Sequence, residues 1–291
     1  MRAAAISDFW SDFHENHVAV VAAIVVVVII LAACFAPWIT PQNPYDIANL
    51  NLADARQPPG FVGSQGYIHI LGTDSQGRDL YSAILFGLRI SLEMGVISGA
   101  VALAIGTTLG IVAAYVGGRL ESVIMRAIDL QLSFPAILLA LILAAILGPG
   151  KTQLIVALVA AQYAYYARTA FGTAAVERQK EYIEAAAATP LSAGRIVLRH
   201  LLPNSMPPLI VVATVQIAAA ISLEATLSFL GVGLPVTQPS LGSLIANGFE
   251  YMLSGRTWMA IYPGIALIIL ITAINLVGDQ LRDQLNPRLR R

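Results

Sequence analysis

Long apolar stretches separated by polar ones set the pattern of this chain. The first, Val18 to Ile39, is dense in valine, isoleucine and alanine. A helix rises 1.5 Å per residue, so about 20 residues cross a hydrocarbon core of about 30 Å. The run predicts a spanning helix. Five further runs predict spans over about Ile90 to Val116, Ile124 to Leu147, Leu154 to Phe171, Leu209 to Val232 and Trp258 to Val277. In the second, Gly106 and Gly110 form a small-xxx-small pair that admits another helix closely. Pro135 predicts a kink in the third. Tyr163, Tyr165 and Tyr166 fall near the middle of the fourth, where packing or interfacial roles outweigh ligand contact.

The polar stretches carry their own elements. Residues 40–88 read as a loop with four prolines, closed by a short helix that Thr73 or Asp74 caps and that turns Leu80, Ile84 and Leu85 to one apolar face. Residues 233–257 read as a second polar loop. Residues 178–204 predict two short helices: Tyr182 to Ala188 is rich in alanine, Thr189 is an N-cap and Pro190 the first residue of a second helix, which Pro203 stops. Pro207 and Pro208 then start the next apolar run.

Composition places all of this in a membrane. Hydrophobic residues make up 57% and charged residues 12% of the 291, with a mean hydropathy of +0.73; soluble domains carry about 25% charged residues. The fold class is therefore all-α, a polytopic bundle of six spanning helices. Residues 1–17, with Phe9, Trp10 and Phe13, form an interfacial segment, and the lack of a basic start or a small-residue cleavage site argues against a signal peptide. Residues 18–88 hold the first span and its loop, 89–280 a core of five spans, and 281–291 a basic tail.

Candidate chemistry is sparse. Cys34 is the lone cysteine, which excludes an internal disulfide or a multi-cysteine metal site. His14, Glu15 and His17 miss zinc-protease spacing by one residue, so no metal site is expected. Gly150-Lys151-Thr152 mimics the end of a phosphate-binding loop, but Ala145 stands where its first glycine belongs, after a membrane run rather than a strand. No ATP site is therefore expected in this chain. Three acids lie in or beside spans: Glu93, Asp129 and Glu224. Intramembrane acids are costly and mark ion or proton paths, or polar contacts within the bundle. Both readings stand for Glu224.

Two motifs carry a resemblance. Glu184-Ala185-Ala186, with Leu202-Pro203 at the matching distance, resembles the EAA loop of ATP-binding-cassette importer permeases, the helix pair that docks into the partner ATPase; Pro190 stands where that family has glycine. Gly72, Thr73, Asp74, Gly77, Arg78 and Asp79 resemble the extracytoplasmic loop motif of the C-type permeases of peptide and nickel importers. Ser228 to Gly233 and the closing Asn275, Gly278, Asp279, Arg282, Asp283 and Pro287 fit the same family, whereas Leu241-Gly242 stands where those permeases commonly carry a tryptophan before the glycine. The resemblance implies the type I importer fold and alternating access. It also implies a second homologous permease, two ATPases that bind ATP and Mg, and an extracytoplasmic binding protein. Nucleic acid plays no part, and the chain itself is neither an enzyme nor a cofactor carrier. Peptides are the expected cargo, with glutathione and nickel as alternatives. A self-sufficient carrier or channel using Glu93, Asp129 and Glu224 is the reading from a different class.

Charge orients the bundle. Six spans put both termini on one side. If that side is the cytoplasm of a bacterial inner membrane, it holds Arg2, Arg119, Arg126, Arg168, Arg178, Lys180, Arg195, Arg199, Arg282, Arg288, Arg290 and Arg291. Arg56, Arg78, Lys151 and Arg256 lie opposite, with Arg89 at a boundary. The excess obeys the positive-inside rule and places the EAA-like loop in the cytoplasm.

Overall fold

The computed structural model describes residues 16–46, 50–235 and 237–285. The aromatic N-terminal segment, His14, Glu15, Pro287 and the terminal arginines lie outside them. Ten helices dominate the described residues. Helix α1 (His17–Ile39) starts where Asn16 Oδ1 accepts from the Val18 and Ala19 N–H groups. Most of its valines and isoleucines are exposed, Val18 and Val21 by 60%, as a lipid-facing helix requires. Its small residues Ala33 and Ala36 turn inward.

The 40–88 stretch is more ordered than a loop. It contains a 3₁₀ turn, Leu52–Asp54, and a two-stranded antiparallel ribbon of β1 (Phe61–Val62) and β2 (Ile68–His69), with His69 opposite Phe61. Helix α2 (Leu80–Val116) then runs unbroken for 37 residues, about 55 Å. No separate short helix precedes the second span. Leu80, Ile84 and Leu85 are buried as expected, but so are Ser82, Ala83, Phe86 and Leu88. A segment buried on every side has no reason to stop before the apolar run that follows it.

Pro135 does more than kink its span. Helices α3 (Gly118–Leu132) and α4 (Ala136–Leu147) meet at 90°. Ser133 Oγ donates to Leu130 O at 2.6 Å, which finishes α3. The proline has no N–H to continue the ladder. Helix α3 buries little besides Met125 and Ile128, consistent with its load of Arg119, Glu121, Arg126 and Asp129.

Helix α5 (Lys151–Arg178) is the centre of the bundle: Leu154, Ala157, Leu158, Ala164, Ala167, Ala170 and Ala174 are all buried. It lies directly against α2. A Cβ at Gly106 would sit 2.3 Å from Tyr163 O, and one at Gly110 2.4 Å from Ala167 O. The small-xxx-small pair is thus the contact that admits α5. Four helical stretches, namely α1, α2, Ala193–Phe229 and Trp258–Leu285, are long and apolar enough to span a bilayer, and the bent α3–α4 pair makes a fifth. Helix α5 is less apolar and is not among them.

The last third departs from expectation at its prolines. Helices α6 (Glu181–Ala187) and α7 (Ala193–Ile196) are short, but Pro203 does not stop the second. A π-helical turn, Val197–Leu201, leads straight into α8 (Leu202–Phe229), through Pro203, Pro207 and Pro208. In that turn the Leu202 N–H bonds back to Val197 O. The wider spacing relieves the clash a proline ring makes with the carbonyl four residues earlier. The 233–257 stretch folds a further helix, α9 (Leu241–Phe249), capped reciprocally by Ser240 and Ser243. Helix α10 (Trp258–Leu285) closes the bundle. Asn16 Nδ2 donates to Gln280 Oε1 at 2.7 Å, so the start of α1 and the end of α10 share one end of the molecule.

Candidate functional site

The two sequence motifs lie at opposite ends of α2. At its N-terminal end, Gly72 to Asp79 folds into a buried knot. The cap of α2 is Asp79, not Thr73 or Asp74: Asp79 Oδ2 accepts from Ser82 N at 2.8 Å and from Ser82 Oγ at 2.6 Å. Its Oδ1 lies 3.0 Å from His69 Nδ1, and its own N–H donates to Gln42 Oε1 at 2.6 Å. Thr73 serves a different join. Its hydroxyl donates to Asp54 O at 2.6 Å and accepts from Gln57 N at 2.8 Å. Asp74 Oδ1 accepts from Gln76 N at 2.8 Å and Arg78 N at 2.9 Å. Burial pushes the Asp74 carboxyl above the usual carboxylate range, against the pull of the Arg78 N–H, the Arg78 charge and the Gln76 N–H. Gly77 holds the turn at φ +79°, and a Cβ there would fall 2.2 Å from Asn51 O. The motif is thus chiefly inward-looking.

At the other end of α2, the helix pair looks outward. Glu184, Ala185 and Pro190 are exposed and Ala186 is half-buried. Ile183 and Ile196, buried to 4% and 3%, pin the two helices to the body. Thr189 Oγ1 donates back to Ala186 O at 2.7 Å, finishing α6 rather than capping α7. Ser192 occupies the N-cap position of α7, and Pro190 lies in the turn between. The tether to the bundle is polar. Tyr182 donates to Glu177, Lys180 pairs with Glu177 at 2.7 Å, and Asn204 Nδ2 donates to the Tyr182 hydroxyl at 3.0 Å. Partial burial, then Glu177, pushes that hydroxyl up to about 12. Arg178 donates to Ala114 O at 2.7 Å and stacks over Tyr115 with its guanidinium carbon 5.9 Å from the ring centre, a favourable place for a cation at the C-terminus of α2. Leu202 is half-buried and Pro203 exposed at the return of the chain into α8. A cleft of about 830 Å³ lies between the helix pair and the end of α2, and Glu184 lines it.

The three acids do not meet; among the described residues no hydrogen bond joins any two of them. Glu93 pairs with Lys151 at the start of α5. Asp129 pairs with Arg168 at 2.9 Å. Glu224 is fully buried and accepts from Ser91 Oγ at 3.0 Å and Ser228 Oγ at 2.7 Å, with Ser240 also in hydrogen-bonding reach. It therefore joins α2, α8 and the cap of α9 as a polar contact within the bundle. The signal sequence reading missed was the set of serines, separated by up to 149 positions (240 − 91). Leu241 is fully buried against Gly87, and a Cβ at Gly242 would lie 2.1 Å from Ala225 O. Leu241 is thus a packing residue of the core.

A lipid-clad helical bundle with one inward-knotted end and one exposed helix pair is the build of a membrane transport permease. Comparison places it more narrowly. Residues 106–291 match the family described as “Binding-protein-dependent transport system inner membrane component”, and residues 5–59 match the “N-terminal TM domain of oligopeptide transport permease C”. The chain belongs to this family of transport permeases. A protein of Brucella suis biovar 1, named provisionally as a peptide transport system permease, is 42% identical over 89% of this chain and 84% of its own length. A di/tripeptide transport system permease of Pseudomonas aeruginosa is 34% identical over 98% of this chain and 93% of its own. A glutathione transport system permease of Pectobacterium atrosepticum is 36% identical over 97% and 91%. The fold is shared with the inward-facing MetNI methionine ABC transporter, at a TM-score of 0.59 and 21% identity over 71% of this chain and 98% of that one. The fold is that of a type I ABC importer permease.

Proposed function

We propose that this chain is one of two homologous permease subunits of an ATP-driven importer of short peptides in a bacterial inner membrane. Two ATPases, binding ATP and Mg, drive it, and an extracytoplasmic binding protein supplies it. The observation that carries this reading is the exposed helix pair around Glu184, Ala185 and Ala186, tethered to the end of a helix long enough to cross the membrane. Six spans, with both termini and the helix pair on the cytoplasmic side, agree with the charge distribution and with the Asn16–Gln280 contact that joins the start of α1 to the end of α10. Peptide cargo rests on the names of the relatives. Glutathione, itself a modified tripeptide, is the second reading, supported by the Pectobacterium relative.

Alternating access then has a physical route. Closure of the ATPases moves α6 and α7; Ile183 and Ile196 pass that motion to the body; and Arg178 couples the end of α5 to the last carbonyls of α2. The buried knot at the far end keeps α2 a single rigid element, so displacement at one end is felt at the other. Glu184→Lys tests the docking role. The permease is expected at its normal level in the membrane, with ATPase copurification and peptide uptake both reduced severalfold. Full attachment and full uptake would remove Glu184 and its helix from the interface.

A further inference from the structure

A polar cavity of about 350 Å³ opens at the end of the bundle opposite the helix pair. Tyr45, Arg89, Glu93, Lys151 and Gln238 line it, from the stretch after α1, from α2, from the start of α5 and from the stretch after α8. Four separate parts of the chain thus bring polar groups to one place. Its volume lies within the range of small-ligand pockets, about 300–1,000 Å³. The charges are two cations and one anion. Glu93 is engaged by Lys151, and the Lys151 charge needs that partner at a helix N-terminus, where a cation is otherwise disfavoured. Arg89 is exposed and has no ion-pair partner among the described residues. The Tyr45 hydroxyl, pushed up to about 12 chiefly by burial, keeps its proton and remains a donor.

We propose that this cavity is a receiving subsite for the two charged ends of a short peptide, with Arg89 taking the terminal carboxylate. The proposal rests on the peptide-importer reading above. A planar guanidinium offers the bidentate fork that a carboxylate fills. The Glu93–Lys151 pair supplies the complementary acid for the terminal ammonium. Both members are partly solvated, with side chains 36% and 41% exposed, and a carboxylate has acceptor capacity for a second ammonium while Lys151 stays paired. A zwitterion fits this net charge of plus one better than a bare cation does, which separates the cargo proposed here from a metal ion.

The test is ATP-driven uptake by the whole complex in proteoliposomes, fed by its binding protein, of radiolabelled alanyl-alanine and of its C-terminal amide. Each is measured with wild type, Arg89→Gln and Arg89→Lys. Selection by the binding protein cancels in the ratio of ratios, which isolates the Arg89–carboxylate coupling. Loss of a charged hydrogen-bond pair predicts a drop of about tenfold for the free acid, little change for the amide, and partial recovery in Arg89→Lys. Equal losses for acid and amide would overturn the subsite while leaving the peptide importer standing. No uptake of either compound by wild type would overturn both.

Discussion

The two ends of α2 read alike in the sequence and differ in the structure. Gly72–Asp79 and Arg178–Asn204 are both polar, both flanked by apolar runs, and both matched to family motifs. In the first, Thr73, Asp74, Arg78 and Asp79 are all at most 2% exposed, and the bonds of Thr73, Asp74 and Asp79 stay within the 40–88 stretch. In the second, Glu184, Ala185 and Pro190 face solvent, and two buried isoleucines with the polar tether through Tyr182 hold the helices down. A buried polar group must be satisfied where it lies. An exposed one is free to be satisfied by a partner. One motif builds a segment, whereas the other offers a surface, and burial tells them apart where composition does not.

The widest break in that comparison comes from Asp79. In Asp79→Ala, α2 loses its N-cap, worth about 1 kcal/mol. Gln42 keeps its backbone partner, but Ser82 and His69 are left with buried polar atoms at about 1–3 kcal/mol each. Against a typical stability of about 5–15 kcal/mol, a total of about 3–7 kcal/mol is a large share of what keeps the chain folded. The expected result is a collapsed size-exclusion profile and a steep fall in the midpoint of thermal unfolding, with Asp79→Asn milder because an acceptor oxygen remains. An unchanged profile would mean the knot is not structural.

The contrasting substitution is Ala186→Pro. Proline inside a helix costs about 3 kcal/mol, but here the cost falls on a seven-residue helix at the surface. The permease should keep its thermal midpoint and lose its ATPases and its uptake together. If the midpoint falls as far as in Asp79→Ala, the helix pair belongs to the core and the comparison fails.

How much of this was legible follows from the same physics. Periodicity and apolar length located the helices, because a span must satisfy its backbone internally whatever its neighbours are. The small residues at Gly106 and Gly110 announced a close contact, though not that α5 would fill it. The kink expected at Pro135 is present and reaches a right angle, whereas the stop expected at Pro203 is absent. A proline's effect depends on whether the preceding turn can widen, and the Val197–Leu201 turn does. Thr73 and Asp74 looked like caps because any short polar side chain before an apolar run does; only the tertiary partners, His69 and Gln42, select Asp79. The environment of Glu224 was out of reach for the same reason. Its serines come from α2, α8 and the cap of α9, and no local pattern joins them.

The smallest expected effect sharpens the comparison most finely. Tyr182 ties α6 both to the end of α5, through Glu177, and to the start of α8, through Asn204. It is 39% exposed, so each bond stabilises at the low end of about 0.5–1.5 kcal/mol. Tyr182→Phe keeps the ring and removes both. The thermal midpoint should not move, and ATPases should still copurify, since the exposed docking face is untouched. Uptake per complex should fall by about two- to fivefold, because the helix pair is held but no longer braced against both neighbours. The sign with pH is fixed as well. With the hydroxyl at about 12, its proton stays on throughout the neutral range, so the wild-type to Phe ratio should be flat from about pH 6 to 9 on the tyrosine's account. Uptake unchanged by the substitution would show that Ile183 and Ile196 alone transmit the motion, and would assign the coupling to packing rather than to the polar tether.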